Sequence, residues 1–336
     1  MEQRHLGSDG LITSALGLGC MGFSQGYGPV DDNESIAAIQ RAVELGITML
    51  DTAMSYGQGH NERLLARAFA ARPDIAERVQ LATKFGIVRG EQGVVLDGKP
   101  EHVRGYCDAS LARLGVDTID LYYLHRVDPE VPIAETVGAM AKLVTDGKVR
   151  HLGVSEVTVE QLHAACAEYP ISAVQFEWSL LWREPETDLI PAARELGVAL
   201  VPYSPLGRGL LTDTLSDSQI DSSDFRQSDP RFHGNELARN RTQIATLGQI
   251  AADLDITAGQ LALAWLLAQG PDVVPIPGSR RAERIAENAA AASVVLTDVD
   301  LHRLEQSVPR SGWAGDRKSF AVPGTARVSS PTSTPP

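Results

Sequence analysis

Cysteine is scarce in this chain, with three in 336 residues. Cys20, Cys107 and Cys166 are odd in number, far apart and in no C-x-x-C or metal-ligand spacing, which excludes a disulfide framework and a cysteine zinc site. Histidines and carboxylates are not clustered at ligand spacing either, so no metal is expected and a metal-dependent isomerase or hydrolase is disfavoured. Long apolar runs are missing: no window approaches 18 uninterrupted apolar residues, and Met1 to Gly10 is polar, with no signal-peptide core. The expectation is a cytoplasmic protein that neither spans a membrane nor is exported by a visible signal. Basic runs are missing too. With a formal net charge of −13 the overall field repels a phosphate backbone, and nucleic acid is not an expected partner. A small anion is a different matter, because a few placed cations and backbone N–H groups suffice to hold one.

What the chain does contain is a rhythm. Hydrophobic residues make up 43% and charged residues 22%, enough for a full core and a wet surface. Short apolar runs alternate with longer amphipathic stretches at a period of about thirty residues, the mark of βα repetition. The runs that read as strands are Leu16–Met21, Ile47–Leu50, Val79–Ala82, Ile119–Leu124, Val149–Val154, Ala173–Phe176, Val198–Val201 and Val273–Ile276. Helical spacing falls between them, at 34–44, 61–70, 102–114, 133–146, 159–167 and 185–196, with Gly46, Gly115, Gly147 and Gly197 where a left-handed cap is wanted. Near-continuous apolar strands suit a parallel sheet buried on both faces. Eight units without a midway reversal favour a closed (β/α)8 TIM barrel over an open doubly wound sheet.

Two segments break the rhythm. Gly7 and Gly10, between short apolar pairs, predict an N-terminal β-hairpin closing the barrel bottom. From Ser204 to Asn240 the text is polar and rich in Gly, Ser and Asp, a long loop after strand 7 at the functional end of a barrel. Two further helical patterns, 243–254 and 258–268, precede the last strand. The expected organisation is one barrel domain over 1–310 and a C-terminal loop with a disordered tail over 311–336, the last residues VSSPTSTPP being compositionally disordered.

Barrel active sites are built at the C-terminal ends of strands. Asp51, Lys84 and His125 follow three successive strands there, and Tyr56 lies five residues beyond Asp51 in DTAMSYG. Singly each has an ordinary structural explanation: a cap, a surface charge, a core histidine. Jointly they form a proton-transfer site. A lysine beside a tyrosine hydroxyl favours the phenolate and is expected to lower the tyrosine pKa from about 10 toward the working pH, making Tyr56 a general acid. Asp51 would keep the lysine charged, and His125 would donate a hydrogen bond where negative charge develops.

The stretches DTAMSYGQGHNE, LATKFG, IDLYYLHRVD, HLGVSE, AVQFEWSLLWRE, VPYSPLGRGLLT and PIPGSRRAERIAEN, in this order, resemble the signatures of the aldo-keto reductase superfamily over about Arg4 to Leu304. The nearest branch is that of bacterial, fungal and plant reductases with GVSE and YSPLGRG motifs. The resemblance implies NADPH-dependent reduction of an aldehyde or ketone, with a hydride passing from the nicotinamide and the catalytic tetrad falling on Asp51, Tyr56, Lys84 and His125. It implies that Ser155 and Gln175 hold the carboxamide, that the nicotinamide stacks on Tyr203, and that Met21 and Gly22 also lie at the cofactor. Ser204, Leu206, Gly207, Arg208 and Gly209 would line a Gly-rich approach to the pyrophosphate, and Gly278 and Ser279 would lead into a helix N-terminus. Arg280 and Arg284 would clasp the adenosine 2′-phosphate, with Glu287 and Asn288 on the adenine.

Four positions depart from the family pattern. Glu156 stands where many members carry Asn, Gly278 where many carry a phosphate-binding Lys, Met54 for an acidic residue, and Trp178 for Tyr. Trp178, Trp182, Phe232 and Trp313 are expected at the mouth, favouring aromatic aldehydes over sugars. A rival reading is an NADPH-binding regulatory or redox-sensing module with little turnover, since fold alone does not settle function.

Overall fold

The computed structural model describes residues 1–90, 93–212 and 223–317. The tail Val328–Pro336 and the middle of the loop after strand 7 lie outside the described residues.

The chain opens with an antiparallel hairpin, β1 (Gln3–Leu6) and β2 (Leu11–Ser14), as Gly7 and Gly10 predict. The central sheet is parallel throughout: β3 (Leu18–Gly19), β4 (Met49–Asp51), β5 (Gln80–Phe85), then, past an outlying hairpin β6 (Ile87–Gly90) and β7 (Gly93–Leu96), β8 (Ile119–Leu124), β9 (Val149–Ser155), β10 (Ala173–Glu177) and β11 (Ala199–Tyr203). Neighbouring strands follow chain order from β3 to β11.

The eighth expected strand is a bonded segment rather than a regular ladder. Val274 N–H donates to the Leu200 carbonyl and Ile276 N–H to that of Pro202, while Gly17 and Gly19 donate to the carbonyls of Pro275 and Pro277. Prolines at 275 and 277 have no N–H to donate, which thins the ladder without breaking the bridge from β11 to β3. The barrel is therefore closed through this segment.

Helices cover the outside: α1 (Asp32–Glu44), α2 (His60–Ala71), α3 (Pro73–Ala76), α4 (Pro100–Leu114), α5 (Ile133–Thr145), α6 (Val159–Glu168), α7 (Leu189–Glu195), α8 (Gly234–Asp253), α9 (Ala258–Leu267), α10 (Ala282–Ala290) and α11 (Asp298–Ser307). Their caps are written in the sequence. The Asp31 carboxylate accepts from the first-turn amides of α1, and Thr158, Thr257 and Thr297 form capping boxes at α6, α9 and α11. Each such cap contributes about 1 kcal/mol.

Period-two alternation sorts the strands into two cores. Met49, Ala82, Leu121, Tyr123, Ala173, Ala199, Val201, Val274 and Ile276 fill the barrel interior with Leu6 and Leu11 of the hairpin. Leu50, Leu81, Phe85, Tyr122, Leu152, Val154, Val174 and Phe176 face the helices in the larger outer core. The hairpin is fastened by Arg4, whose guanidinium donates to the carbonyls of Leu267, Gly270 and Val273.

Two local expectations shift. The hairpin β6–β7 was not anticipated, although GIVRGEQGVVL carries β-branched residues on either side of glycines. The stretch after β11 is a distorted 3-10 segment (Gly207–Thr212) and two short turns (Phe225–Ser228, Pro230–Phe232), and α8 already begins at Gly234. No single helix among the described residues is long and apolar enough to cross a membrane.

Candidate active site

The alternation that fills the barrel also builds its mouth. Continuing the inward face past Met49, Ala82, Tyr123, Gly153, Ala173 and Val201 gives Asp51, Lys84, His125, Ser155, Gln175 and Tyr203, all at or just past the C-terminal ends of their strands except Gln175, which is in the middle of β10. Tyr56 reaches the same place from the turn after β4. That turn is pinned by Met54 N–H to the Lys84 carbonyl, by the Thr52 hydroxyl to Asn61 at 2.6 Å, and by Asn61 to the Cys20 carbonyl at 2.8 Å.

The four expected catalytic residues converge. Lys84 Nζ pairs with Asp51 Oδ1, donates to the Thr52 carbonyl at 2.8 Å and lies 3.3 Å from Tyr56 Oη. The His125 ring stands edge-on to the Tyr56 ring, centroids 5.8 Å apart. Lys84 is fully buried and Asp51 nearly so.

Burial opposes the Lys84 charge, but Asp51 and Tyr56 outweigh it and raise the lysine pKa, so the ammonium is held charged. Tyr56 departs from expectation: its pKa is raised, not lowered. Enclosure of the phenol is the main cause, and the pull of Lys84 is blunted because Asp51 sits on the same ammonium. His125 is pushed well below the usual histidine range by burial and by the neighbouring cations Arg126 and Lys84, so its imidazole is neutral. Its Nδ1 is buried without a hydrogen-bond partner among the described residues.

The expected carboxamide contacts lie alongside. Gln175 Nε2 donates to Asp51 Oδ2 at 2.8 Å. The Ser155 hydroxyl accepts from Arg126 at 3.1 Å, which leaves its own proton to donate. Arg126, which sequence reasoning passed over, also bonds the His125 carbonyl and so braces the end of β8. Tyr203 Oη donates to Glu156 at 2.9 Å.

The Gly-rich segment after β11 turns back on itself through positive φ at Ser204 (49°), Gly207 (54°), Arg208 (58°) and Gly209 (94°). The turn is partly self-bonded, Gly207 N–H donating to the Ser204 carbonyl at 2.9 Å and Gly209 N–H to that of Leu206 at 3.0 Å, and glycine at positive φ lets its backbone be approached closely. Its carbonyl at Arg208 is tied to Arg226, and the Phe225 ring packs at a tilt against Tyr27, centroids 4.8 Å apart, so the described part of this loop crosses to the loop after β3 that holds Met21 and Gly22.

After the closing segment, α10 starts at Ala282 with Arg281 as a cap that supplies no side-chain hydrogen bond. Its first-turn amides are therefore not satisfied by a cap. Arg280 donates to the carbonyls of Tyr27 and Pro29, and Arg284 pairs with Glu287, which also accepts from Thr257. Asn288 is buried on the same helix. Gly278 has a steric reason: a Cβ there would lie 2.6 Å from the Gly19 carbonyl oxygen, so a lysine would force the barrel seam apart. A glycine-rich turn open to close approach, an uncapped helix start and two arginines fit the anionic backbone of a dinucleotide, and the Ser155 hydroxyl fits an amide beside Asp51 and Lys84.

Two of the four aromatics expected at the mouth are elsewhere. Trp178 packs on Phe176 and Trp265 and donates its indole N–H to Glu186, in the outer core. Phe232 is buried in the same outer core. For Trp178 this follows from side-chain parity, since it is two residues past the outward-facing Phe176; Phe232 is carried inward by the 3-10 turn Pro230–Phe232. No group of three His, Cys, Asp or Glu side chains among the described residues is placed to hold a metal.

A parallel barrel with a buried acid–lysine–tyrosine chain at its C-terminal mouth has the architecture of a barrel enzyme. Residues 15–309 match the aldo/keto reductase family. The chain is 43% identical to a probable aldo-keto reductase of Glycine max over 314 residues, 93% of this chain and 90% of that protein. Among solved structures it resembles the glycerol dehydrogenase of Gluconobacter oxydans (TM-score 0.84, 28% identity, 92% of this chain and 95% of that one). It also resembles an aldo-keto reductase of Klebsiella pneumoniae solved in complex with NADPH (TM-score 0.70, 27% identity, 92% and 96%). The chain belongs to the aldo/keto reductase family and is an NADP-dependent oxidoreductase.

Proposed function

We propose that this protein reduces aldehydes or ketones to alcohols with NADPH, using Tyr56 as general acid. The observation that carries the reading is the buried chain Asp51–Lys84–Tyr56 with a neutral His125 beside it. The NADPH complex of the Klebsiella pneumoniae relative supports the choice of cofactor.

Bound NADPH supplies a hydride to the carbonyl carbon from C4 of its nicotinamide. The chain's own residues handle the oxygen. Because its pKa is raised, Tyr56 stays protonated across the working range and is always ready to donate. As the carbonyl oxygen gains negative charge, the proton passes from Tyr56 Oη to it, and the charged Lys84, 3.3 Å away, stabilises the phenolate left behind. Asp51 keeps Lys84 oriented and charged. His125, with one N–H on a neutral ring, donates to the same oxygen and fixes which face of the carbonyl is presented. The phenolate regains its proton from water when the alcohol leaves.

Ser155 and Gln175 are read as holding the carboxamide and Tyr203 as the stacking ring. The turn at 204–209 and the start of α10, with Ser279, Arg280 and Arg284, are read as holding the phosphates.

The test is NADPH oxidation followed at 340 nm with a panel of aromatic aldehydes, diketones and sugars, for wild type and Tyr56→Phe. The expected result is carbonyl-dependent oxidation in wild type and a loss of about 10²–10⁴ in kcat for Tyr56→Phe, with NADPH affinity unchanged. Undiminished turnover in Tyr56→Phe would remove Tyr56 as the acid. Tight NADPH binding by the wild type with no turnover on any carbonyl would make the protein a binding module instead.

A further inference from the structure

Past α11 and a short 3-10 turn (Arg310–Gly312), the chain returns over the barrel mouth. Its path is fixed at Ala314, whose carbonyl accepts from Asn240 Nδ2 at 2.9 Å and whose N–H donates to Asn240 Oδ1 at 2.8 Å. Asn240 is fully buried in α8. Gly315, at φ 91°, lies so close to Arg231 that a Cβ would come within 2.8 Å of that side chain.

This path delivers Arg317 into the mouth, 3% exposed. Its guanidinium pairs with Glu156 Oε2, lies 3.6 Å from Glu177 Oε2 and covers the Trp182 ring at 5.3 Å. The other Glu156 oxygen accepts from Tyr203 Oη at 2.9 Å and from Glu177 N–H at 3.1 Å. Glu156 is buried and sits at φ 55°, a left-handed conformation that a non-glycine residue holds only when its surroundings enforce it. An unbroken set of contacts thus runs from the C-terminal segment through Glu156 to the ring at the end of β11.

We propose that Arg317 is a positioning residue for the cofactor: by anchoring Glu156 it fixes the hydroxyl, and so the tilt, of the Tyr203 ring on which the nicotinamide stacks. The proposal rests on the cofactor reading given above. A planar, permanently charged fork can engage Glu156 and Glu177 at once, which a lysine ammonium matches only in part. The remaining groups around Glu156 do not replace it. Arg126 acts on Glu156 through space but donates to Ser155 and to its own neighbour's carbonyl, while Arg231 is committed to Glu177 and Asp229. Without Arg317 the buried Glu156 carboxyl takes up a proton or turns away, and Tyr203 loses its charged acceptor.

The experiment is a double-mutant cycle on the full chain. NADPH dissociation constants are measured by fluorescence titration, and kcat by 340 nm assay, for wild type, Arg317→Met, Arg317→Lys, Tyr203→Phe and Arg317→Met/Tyr203→Phe. Arg317→Met is expected to weaken NADPH binding about tenfold and Arg317→Lys to recover part of the loss. In the Tyr203→Phe background, which has no hydroxyl to anchor, Arg317→Met should change the constant less than twofold. Unchanged NADPH affinity in Arg317→Met, or a loss of equal size in both backgrounds, would overturn the proposal and leave the cofactor reading standing. A wild type with no NADPH affinity would overturn both. Should Arg317→Met fail to fold, Glu156→Gln breaks the same chain of contacts at constant size; the same tenfold loss, confined to the Tyr203 background, is expected, and no loss refutes the idea.

Discussion

Replacing Lys84 by methionine removes the cation of a fully buried pair and leaves the Asp51 carboxyl with the Gln175 amide as its remaining hydrogen-bond donor. Breaking such a pair from one side costs about 3–5 kcal/mol, because the orphaned charge has no water to turn to. With roughly 2.1 cal/mol/K of unfolding entropy per residue over 336 residues, that cost lowers the melting temperature by about 4–7 °C. The pH dependence gives the sharper test. Burial already raises the Asp51 pKa against the pull of Lys84, so removing Lys84 raises it further. A carboxyl whose folded pKa lies above its unfolded value binds an extra proton when folded, and stability then falls as pH rises from about 4 to the folded pKa. The deficit of Lys84→Met relative to wild type should therefore be larger at pH 8 than at pH 5, and Lys84→Met/Asp51→Asn should recover part of it. Differential scanning fluorimetry across pH 5–8 reads both. A melting temperature within 1 °C of wild type, or a deficit that grows toward acid, would refute the reasoning.

Two further expectations concern other parts of the mouth. Glu177 is held down to about 2, burial being overcome by Arg231, Arg208 and Arg317. Its depressed pKa contributes roughly 3 kcal/mol of stability that is present above about pH 4.5 and lost as pH falls toward 2, so Glu177→Gln should flatten the acid limb of a melting-temperature profile; an unaltered limb would contradict this. Arg280→Ala and Arg284→Ala should each raise the KM for NADPH about tenfold with NADH little changed, and equal losses with both cofactors would remove the 2′-phosphate role.

The convergence of Asp51, Tyr56, Lys84 and His125 was legible because three of them fall at the ends of strands whose apolar runs are unmistakable, and barrel geometry does the rest. Parity then carries Ser155, Gln175 and Tyr203 to the same face. The raised Tyr56 pKa was not legible: it depends on how completely the phenol is enclosed and on Asp51 occupying the lysine, neither of which spacing reveals. Trp178 was misplaced because an aromatic near a strand end was read by its neighbourhood, when its parity with Phe176 already sends it outward. Arg317 stands beyond the last helix, in GWAGDR, where nothing periodic remains to show that it returns to the mouth. The closing segment kept its place but lost its ladder to Pro275 and Pro277, a cost visible in the text once those N–H groups are counted.

The bonds from Gly17 and Gly19 to Pro275 and Pro277 join the two ends of the sheet across most of the chain. On the ribosome, Asp51, Tyr56, Lys84 and His125 all emerge long before Val273 is made. A growing chain therefore carries all four of these side chains while the sheet is still open and Lys84 has no dry interior to occupy. Closure depends on contacts of very high sequence separation, the slowest kind to form. Lys84 acquires its buried environment only when the closing segment of the barrel is synthesised, so completion of the mouth and completion of the fold are one late event.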